Sequence, residues 1–198
     1  MGRIFCLMGK SSSGKVTIYR ALAEDPELSL KKIISYTTRP IREGEIEGIQ
    51  YHFVTEEQLE SLDREGRIVE LRSYHTVHGV WKYFTVCEEG MDLGEDSYLI
   101  IGTLKSWQAM CAYYGRERMV PVYIEVEDGE RLMRALLREQ EQTLPDYREM
   151  CRRYLADCED FTEEKLSEEG IIKRFQNTDF GSCFEEIKLF IQKEMQYN

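Results

Sequence analysis

The chain has 198 residues, of which 37 are acidic and 26 basic, and its net charge is −11 with a pI near 4.9. This charge argues against nucleic acid or an anionic membrane as a general partner, while a local basic pocket for a small anion is compatible with it. Hydrophobic residues make up 42% of the chain, enough for one domain with a sizeable core. No apolar run approaches the roughly 18 residues of a membrane span.

The start of the chain and its cysteines indicate the cellular compartment of the protein. A short apolar run follows Gly2 and Arg3, and it is too brief for a secretory signal. The six cysteines form no Cys-x2-Cys pair and the three histidines have no metal-ligand spacing, so we predict no metal-binding side chains. We expect a cytoplasmic protein with reduced thiols. Nothing in the sequence predicts an oligomeric state.

A glycine-rich turn follows the first apolar run. Residues 4–8 suit one buried strand, Gly9 comes next, and Gly14 and Lys15 open a helix-compatible stretch through Leu22. Glycines allow a positive φ that aims consecutive N–H groups at anionic oxygens, and the lysine adds a mobile ammonium. The pattern predicts an ATP-binding phosphate loop that comprises Gly9, Ser11, Ser12, Ser13, Gly14, Lys15, Val16 and Thr17. A serine-rich turn that caps an ordinary helix is the alternative.

The residue after the lysine departs from the usual phosphate loop. A Ser or Thr at this position contributes a hydroxyl to Mg²⁺, whereas this chain has Val16, and Thr17 lies one place too late. Because Mg²⁺ relies heavily on water and substrate phosphates, we expect ATP still to bind through the loop amides and Lys15.

Strand-like and helical patterns alternate along the rest of the chain. We predict strands at residues 32–36, 50–54, 68–71, 98–101, 120–126 and 173–176, with a β-rich segment at 74–86 that turns at Gly79. We predict helices at residues 56–64, 103–114 and 184–195, and a charged helical region at 129–165 that is broken near Pro145. The order predicts an α/β fold with a central parallel sheet, helices on both faces and a small antiparallel insertion at 38–90.

Two groups of arginines stand out. Arg39 and Arg42 flank Pro40 in a polar loop, where their guanidinium forks suit a phosphate or carboxylate, and a solvated turn explains them equally well. Arg134 and Arg138 are four residues apart in the charged helical region, so they share one helix face.

The segments at residues 35–45 and 48–54 resemble, in order and spacing, the monophosphate segment of the guanylate kinase family, and the resemblance covers nearly the whole chain. It implies a P-loop kinase three-layer fold with a core at 1–37, 91–128 and 166–198. The same likeness implies a β-rich monophosphate-binding insertion at 38–90 and a helical lid at 129–165. The implied reaction is ATP-dependent phosphorylation of GMP to GDP, with Mg²⁺ as cofactor and no nucleic-acid or membrane partner.

The resemblance also implies roles for individual residues. The phosphate of GMP would contact Arg39, Arg42, Tyr51 and Tyr83. The guanine edge would be read by Ser35, Glu70 and Thr85, and Glu45 belongs to the same substrate-binding set. The implied catalytic residues are Lys15, Arg39, Arg134, Arg138 and Arg152, the last three closing over the triphosphate. Asn177 matches the position beside the adenine of ATP.

At three places in the implied site, this sequence differs from the family pattern. Gly102 stands where the family has an acidic residue, Phe84 stands where a glycine is expected, and the lid between Arg138 and Arg152 is longer. Together with Val16, they leave two alternatives open. One is a kinase of the same fold that acts on another phosphorylated acceptor, such as a ribose phosphate. The other is a non-catalytic guanylate-kinase-like binding module.

Overall fold

The computed structural model describes residues 2–42, 44–76 and 79–196. Glu43 of the polar loop and Val77 and His78 of the predicted turn lie outside the described residues. The strands are β1 Ile4–Met8, β2 Lys31–Lys32, β3 Tyr36–Thr37, β4 His52–Phe53, β5 Ile68–Thr76, β6 Gly79–Val86, β7 Tyr98–Ile101, β8 Met119–Glu125 and β9 Arg174–Gln176. The helices are α1 Lys15–Glu24, α2 Glu56–Arg64, α3 Leu104–Tyr114, α4 Asp128–Gln140, α5 Tyr147–Asp160, α6 Glu163–Glu168 and α7 Phe180–Gln196.

The central sheet has the strand order β2-β7-β1-β8-β9, and all of its pairings are parallel. β1 lies in the middle, with Ile4 beside Tyr98 on one side and beside Met119 on the other. Every residue of β1 is buried, as the unbroken apolar run predicts for a strand covered on both faces. The predicted α/β class with a central parallel sheet is therefore confirmed.

The two faces of the central sheet are covered by different helices. Ile4, Cys6 and Met8 belong to a hydrophobic cluster that includes α3 residues, whereas Phe5 and Leu7 belong to one that includes α1 and α7 residues. Successive side chains of a strand point to opposite faces, so this single strand contributes to both clusters. None of the described helices has the length and apolar character needed to cross a bilayer.

The insertion forms a second sheet with the order β4-β3-β6-β5. Two predictions about the strands in and next to this sheet were wrong. The strand predicted at residues 32–36 is divided, because the Ile33 N–H donates to Leu99 O in the central sheet, whereas Ser35 O accepts from His52 N–H in the second sheet. The second sheet is mixed rather than antiparallel, since β3 runs parallel to β4.

The charged helical region divides where the sequence predicts. α4 ends at Gln140 and α5 begins at Tyr147, with Pro145 in the connection. The Glu139 carboxylate accepts from the Asp146 N–H at 2.7 Å and so ties the end of α4 to the start of α5. The two helices lie after β8, at the carboxyl edge of the central sheet, where α/β folds place their ligands.

Leu22 tests the packing of α1 on the central sheet. Its side chain is fully buried in α1, so we expect Leu22→Ala to lower the free energy of unfolding by about 2 to 5 kcal/mol. Leu189→Ala removes the same atoms from a side chain on α7 that is 64% exposed, and it should change that free energy by less than about 0.5 kcal/mol. Urea denaturation of both variants measures the difference, and equal losses would contradict the assignment of Leu22 to the core.

Candidate active site

The loop between β1 and α1 has the backbone that its glycines predict. Gly14 has a φ of 81° and Ser12 a φ of 64°, so the chain turns through left-handed conformations before α1 begins at Lys15. A Cβ at Gly14 would lie 2.3 Å from Nδ2 of Asn177, and one at Gly9 would lie 2.4 Å from the Ile124 carbonyl oxygen. Both positions need glycine because neighbouring elements approach the loop so closely.

Asn177 holds the loop in place. Its side-chain Nδ2 donates to the Ser13 carbonyl at 2.8 Å, and its backbone N–H donates to Glu125 O at 2.9 Å. Its own carbonyl accepts from Nη2 of Arg134 at 3.1 Å. These bonds join β8, β9, α4 and the loop around a residue that is buried. The predicted place of Asn177 beside adenine stays a prediction.

Several polar groups of the loop are suited to an anion. The buried hydroxyl oxygens of Ser12 and Ser13 have no hydrogen-bond partner within the described residues. The Ser11 N–H donates to a carboxylate oxygen of Asp157, on α5, at 2.7 Å. A negatively charged group therefore already accepts a hydrogen bond from this loop, and phosphate oxygens can make the same bond.

Lys15 is partly buried beneath this loop, and its ammonium donates to the Lys10 carbonyl at 3.2 Å. Burial lowers the pKa of Lys15 to about 8, and the pKa is raised by the nearby Asp157 carboxylate and lowered further by Arg138 and Arg131. Burial disfavours the charged form because the ammonium loses its hydration. An incoming phosphate would restore a counter-charge to Lys15.

Arg131 is a site residue that sequence reasoning did not select. Its guanidinium is almost completely buried, donates to the Ser11 carbonyl at 3.2 Å and to Asp128 at 2.9 Å, and lies 4.3 Å from the ring centre of Tyr154. The signal that could have found it is spacing. Arg131 lies three residues before Arg134, within reach of the same helix face.

The three predicted lid arginines differ in where they lie. Arg134 pairs with Glu130 at 2.9 Å and contacts the loop through Asn177, and Arg138 is exposed but close enough to Lys15 to influence its pKa. Arg152 pairs with Glu149 at 2.7 Å on the surface of α5. The structure therefore brings Arg134 and Arg138 towards the loop, and the role of Arg152 stays a prediction.

A cavity of about 440 Å³ lies between α1 and the second sheet, and we call it the central cavity. On the loop side it is lined by Lys15 and Val16. On the insertion side it is lined by four predicted substrate residues, Ser35, Glu45, Tyr51 and Tyr83. The charged lining residues are four cations and two carboxylates, namely Lys15, Arg20, Lys32, Arg72, Glu24 and Glu45. A cationic cavity in a chain of net charge −11 is suited to an anionic ligand.

Arg39 is fixed beside the central cavity by an ion pair. Its guanidinium is 4% exposed, makes two hydrogen bonds of 2.6 and 2.5 Å to Glu45, and lies 5.2 Å from the ring centres of both Tyr51 and Phe53. Hydrogen bonding to Arg39 lowers the pKa of Glu45. Glu45 also accepts from the Arg42 N–H at 2.9 Å, so one carboxylate orders both arginines of the polar loop.

Glu70 and Thr85 lie together in the second sheet. They are paired across β5 and β6, and the Thr85 hydroxyl donates to Glu70 at 2.8 Å. Glu70 also receives two hydrogen bonds from Arg72, at 2.8 and 3.1 Å. Arg72, which sequence reasoning missed, lies two residues along β5 and therefore on the same face. Of these residues Arg72 lines the central cavity, whereas the Glu70 side chain is only 3% exposed.

The protein side chains near the loop do not form a magnesium site. Val16 is 47% exposed beside the cavity and has no oxygen to offer, and the described residues hold no cluster of His, Cys, Asp and Glu suited to a metal. A Cβ at Gly102 would lie 2.5 Å from Sγ of Cys6 and 2.9 Å from Oγ of Ser106, so a carboxylate side chain there would require both neighbours to shift. A magnesium ion would depend on phosphate and water ligands.

The lowered pKa of Lys15 predicts a pH dependence. The lysine is charged below pH about 8 in the free protein and neutral above it. We therefore expect the affinity for ATP, measured by calorimetry without metal, to fall as the pH rises from about 7 to about 9.5, with proton uptake on binding near the upper end. The folded protein binds fewer protons at Lys15 than the unfolded chain between about 8 and 10.4, so this group makes stability rise with pH in that window.

The control for this dependence is Lys15→Arg, which keeps its charge over the whole range. Its ATP affinity, even if weaker, should not depend on pH above about 8. A wild-type affinity that is constant with pH would contradict the proposed titration of Lys15.

Comparison with known proteins bears on the family and the fold of the chain. A family model described as guanylate kinase matches residues 1–163. The structure is similar to the crystal structure of guanylate kinase from Anaplasma phagocytophilum, with a TM-score of 0.67 and 23% identity over 100% of this chain and 88% of that chain. At this identity the structural likeness supports the fold, while the family model covers most of the chain. The chain belongs to the guanylate kinase family.

Proposed function

We propose that this protein transfers the γ-phosphoryl group of ATP to the phosphate of a nucleoside monophosphate, with GMP as the acceptor to test first. The observation that carries the proposal is the central cavity. It extends from Lys15 and Val16 on the phosphate loop to Glu45, Tyr51 and Tyr83 on the insertion. A phosphate held by the loop and a phosphate held by the insertion would face each other across one space, which is the arrangement that phosphoryl transfer needs.

The loop side would hold ATP and neutralise developing charge. The backbone N–H groups of residues 11–15, the unpartnered hydroxyls of Ser12 and Ser13 and the Lys15 ammonium would bind the β- and γ-phosphates. Arg134 and Arg138, on α4, would stabilise charge on the transferring group. Arg131 is a positioning residue, because its guanidinium bonds to the loop carbonyl of Ser11 and to Asp128.

The insertion side would orient the acceptor phosphate. Arg39 is held by Glu45 and two aromatic rings, so its guanidinium loses little freedom when a phosphate arrives. Tyr51 and Tyr83 pack edge to face at 5.6 Å, and both line the cavity. Burial and the neighbouring Tyr83 raise the pKa of Tyr51, so its hydroxyl keeps its proton and can donate to phosphate.

A second candidate, phosphorylation of a different phosphorylated acceptor such as a ribose phosphate, is favoured by one observation. Glu70, which the family resemblance assigns to guanine, is already paired with Arg72. A non-catalytic binding module is the third candidate, and Val16 and Gly102 favour it. The well-positioned Lys15, Arg134 and Arg138 argue against that module, since binding alone does not require them.

An enzyme assay separates these candidates. ADP formation should be followed with ATP, Mg²⁺ and single acceptors, namely GMP, IMP, AMP, CMP, UMP and ribose 5-phosphate. We expect ADP to form with a purine monophosphate and Lys15→Ala to lower the rate by about 10²-fold or more. Turnover of ribose 5-phosphate alone would favour the second candidate. ATP binding without turnover of any acceptor would establish the binding module.

Val16→Ser tests how the missing hydroxyl affects the magnesium requirement. The position is exposed on the first turn of α1 and lines the central cavity, so a serine there costs little stability. We expect the variant to need less magnesium for half-maximal rate and to turn over faster than the wild type, because it adds one oxygen ligand. Steady-state rates across a magnesium titration measure both quantities.

Val16→Ala is the matched control, since it changes the side-chain volume without adding an oxygen. If Val16→Ser and Val16→Ala both need the same magnesium concentration for half-maximal rate as an active wild type, the ion is not held at this position.

A further inference from the structure

We propose that Arg72 is a specificity-determining residue that removes the guanine-reading role of Glu70, so that the site accepts 6-oxopurine monophosphates with or without a 2-amino group. This inference rests on the proposed function, because it concerns the acceptor end of the same central cavity. It starts from the hydrogen bonds of one buried carboxylate.

Glu70 has little capacity left for a ligand. A carboxylate has about four lone-pair sites, and three are used by Nε and Nη2 of Arg72 and by the Thr85 hydroxyl. The fork of an arginine pairs with both oxygens of a carboxylate, as N1–H and the 2-amino group of guanine would have to do. Arg72 and guanine therefore compete for the same partner.

Arg72 is held firmly in this arrangement. Its Nη1 donates to the Thr103 hydroxyl at 3.2 Å, and Thr103 caps α3 by accepting from the Ser106 N–H. Arg72 thus connects the second sheet to the end of the central sheet across the cavity. Moving it would break three hydrogen bonds and leave a carboxylate that is 3% exposed without its counter-charge, which is costly.

Arg72 offers hydrogen-bond donors to a ligand, whereas Glu70 would offer hydrogen-bond acceptors. An arginine has five N–H donors, and the three bonds above leave two N–H groups of this cavity-lining residue without a partner among the described residues. Those donors suit a ligand edge that carries acceptors only. O6 and N7 of a 6-oxopurine form such an edge, and arginine binds it with two parallel hydrogen bonds. GMP and IMP share this edge and differ only in the 2-amino group.

Equilibrium binding of GMP and IMP to the full chain tests the proposal. We expect the wild type to bind the two nucleotides within about threefold of each other, because the 2-amino group finds no acceptor. In Arg72→Ala the Glu70 carboxylate becomes available to guanine, so GMP should gain a preference of at least tenfold over IMP. Arg20→Ala is the matched control, since it removes another cation that lines the cavity and leaves the Glu70–Arg72 pair intact. It should leave the GMP to IMP ratio unchanged.

Each outcome decides the proposal. A wild-type preference for GMP of tenfold or more over IMP overturns it without any variant, and so does an Arg72→Ala ratio equal to that of the wild type. If Arg72→Ala does not fold by circular dichroism, Arg72→Gln, which keeps hydrogen-bonding capacity without charge, takes its place. GMP binding that appears only in the variant overturns the proposal as well, because the wild-type site would then accept neither 6-oxopurine. Binding of neither nucleotide by any of these proteins overturns it.

The failure of this inference is distinguishable from failure of the proposed function. ATP-dependent turnover of GMP with a strong preference over IMP would uphold the kinase and reject the role of Arg72. Conversely, absence of turnover together with the expected change in the binding ratio would reject the kinase and uphold the role of Arg72.

Discussion

The hydrogen bond from the Asn177 side chain to the Ser13 carbonyl is the contact on which the site depends. It closes the space beside Gly14, where a Cβ would lie 2.3 Å from the same Asn177 nitrogen. The loop therefore has its conformation because glycine and asparagine are complementary in shape and hydrogen bonding. β8 and β9 position Asn177, and Arg134 joins α4 to it. The conformation of this loop is thus tied to β8 and β9 of the parallel sheet.

The insertion positions its charged groups through ion pairs, whereas the phosphate loop presents backbone amides. Glu45 fixes Arg39, and Glu70 fixes Arg72, each with two hydrogen bonds. Such pairs hold long cationic side chains in one rotamer beside a cavity, at the cost of neutralising part of their charge. The two pairs have different consequences. Under the proposed function, an acceptor phosphate would join Arg39 in addition to Glu45, whereas Arg72 would occupy the oxygens that a guanine base requires.

The sequence predicted those features that follow from local pattern. The buried run of β1, the glycines of the loop and the break in the charged helical region near Pro145 are local, and the structure has all three. The division of residues 32–36 between two sheets could not be predicted, because it depends on which distant strands, β7 or β4, each half meets. Arg72 was missed for the same reason, and Arg131 was missed although its spacing from Arg134 was a local signal. Their charges look like solvated positions until tertiary contacts bury them.

Two departures from the family pattern are packing features. Phe84 is fully buried with Leu59 and Val86, and a glycine there would remove the largest buried side chain of this cluster. A Cβ at Gly102 would lie within 3 Å of the Cys6 and Ser106 side chains, so any side chain there would require both to move. Substituting either position back towards the family residue would therefore require the surrounding side chains to repack.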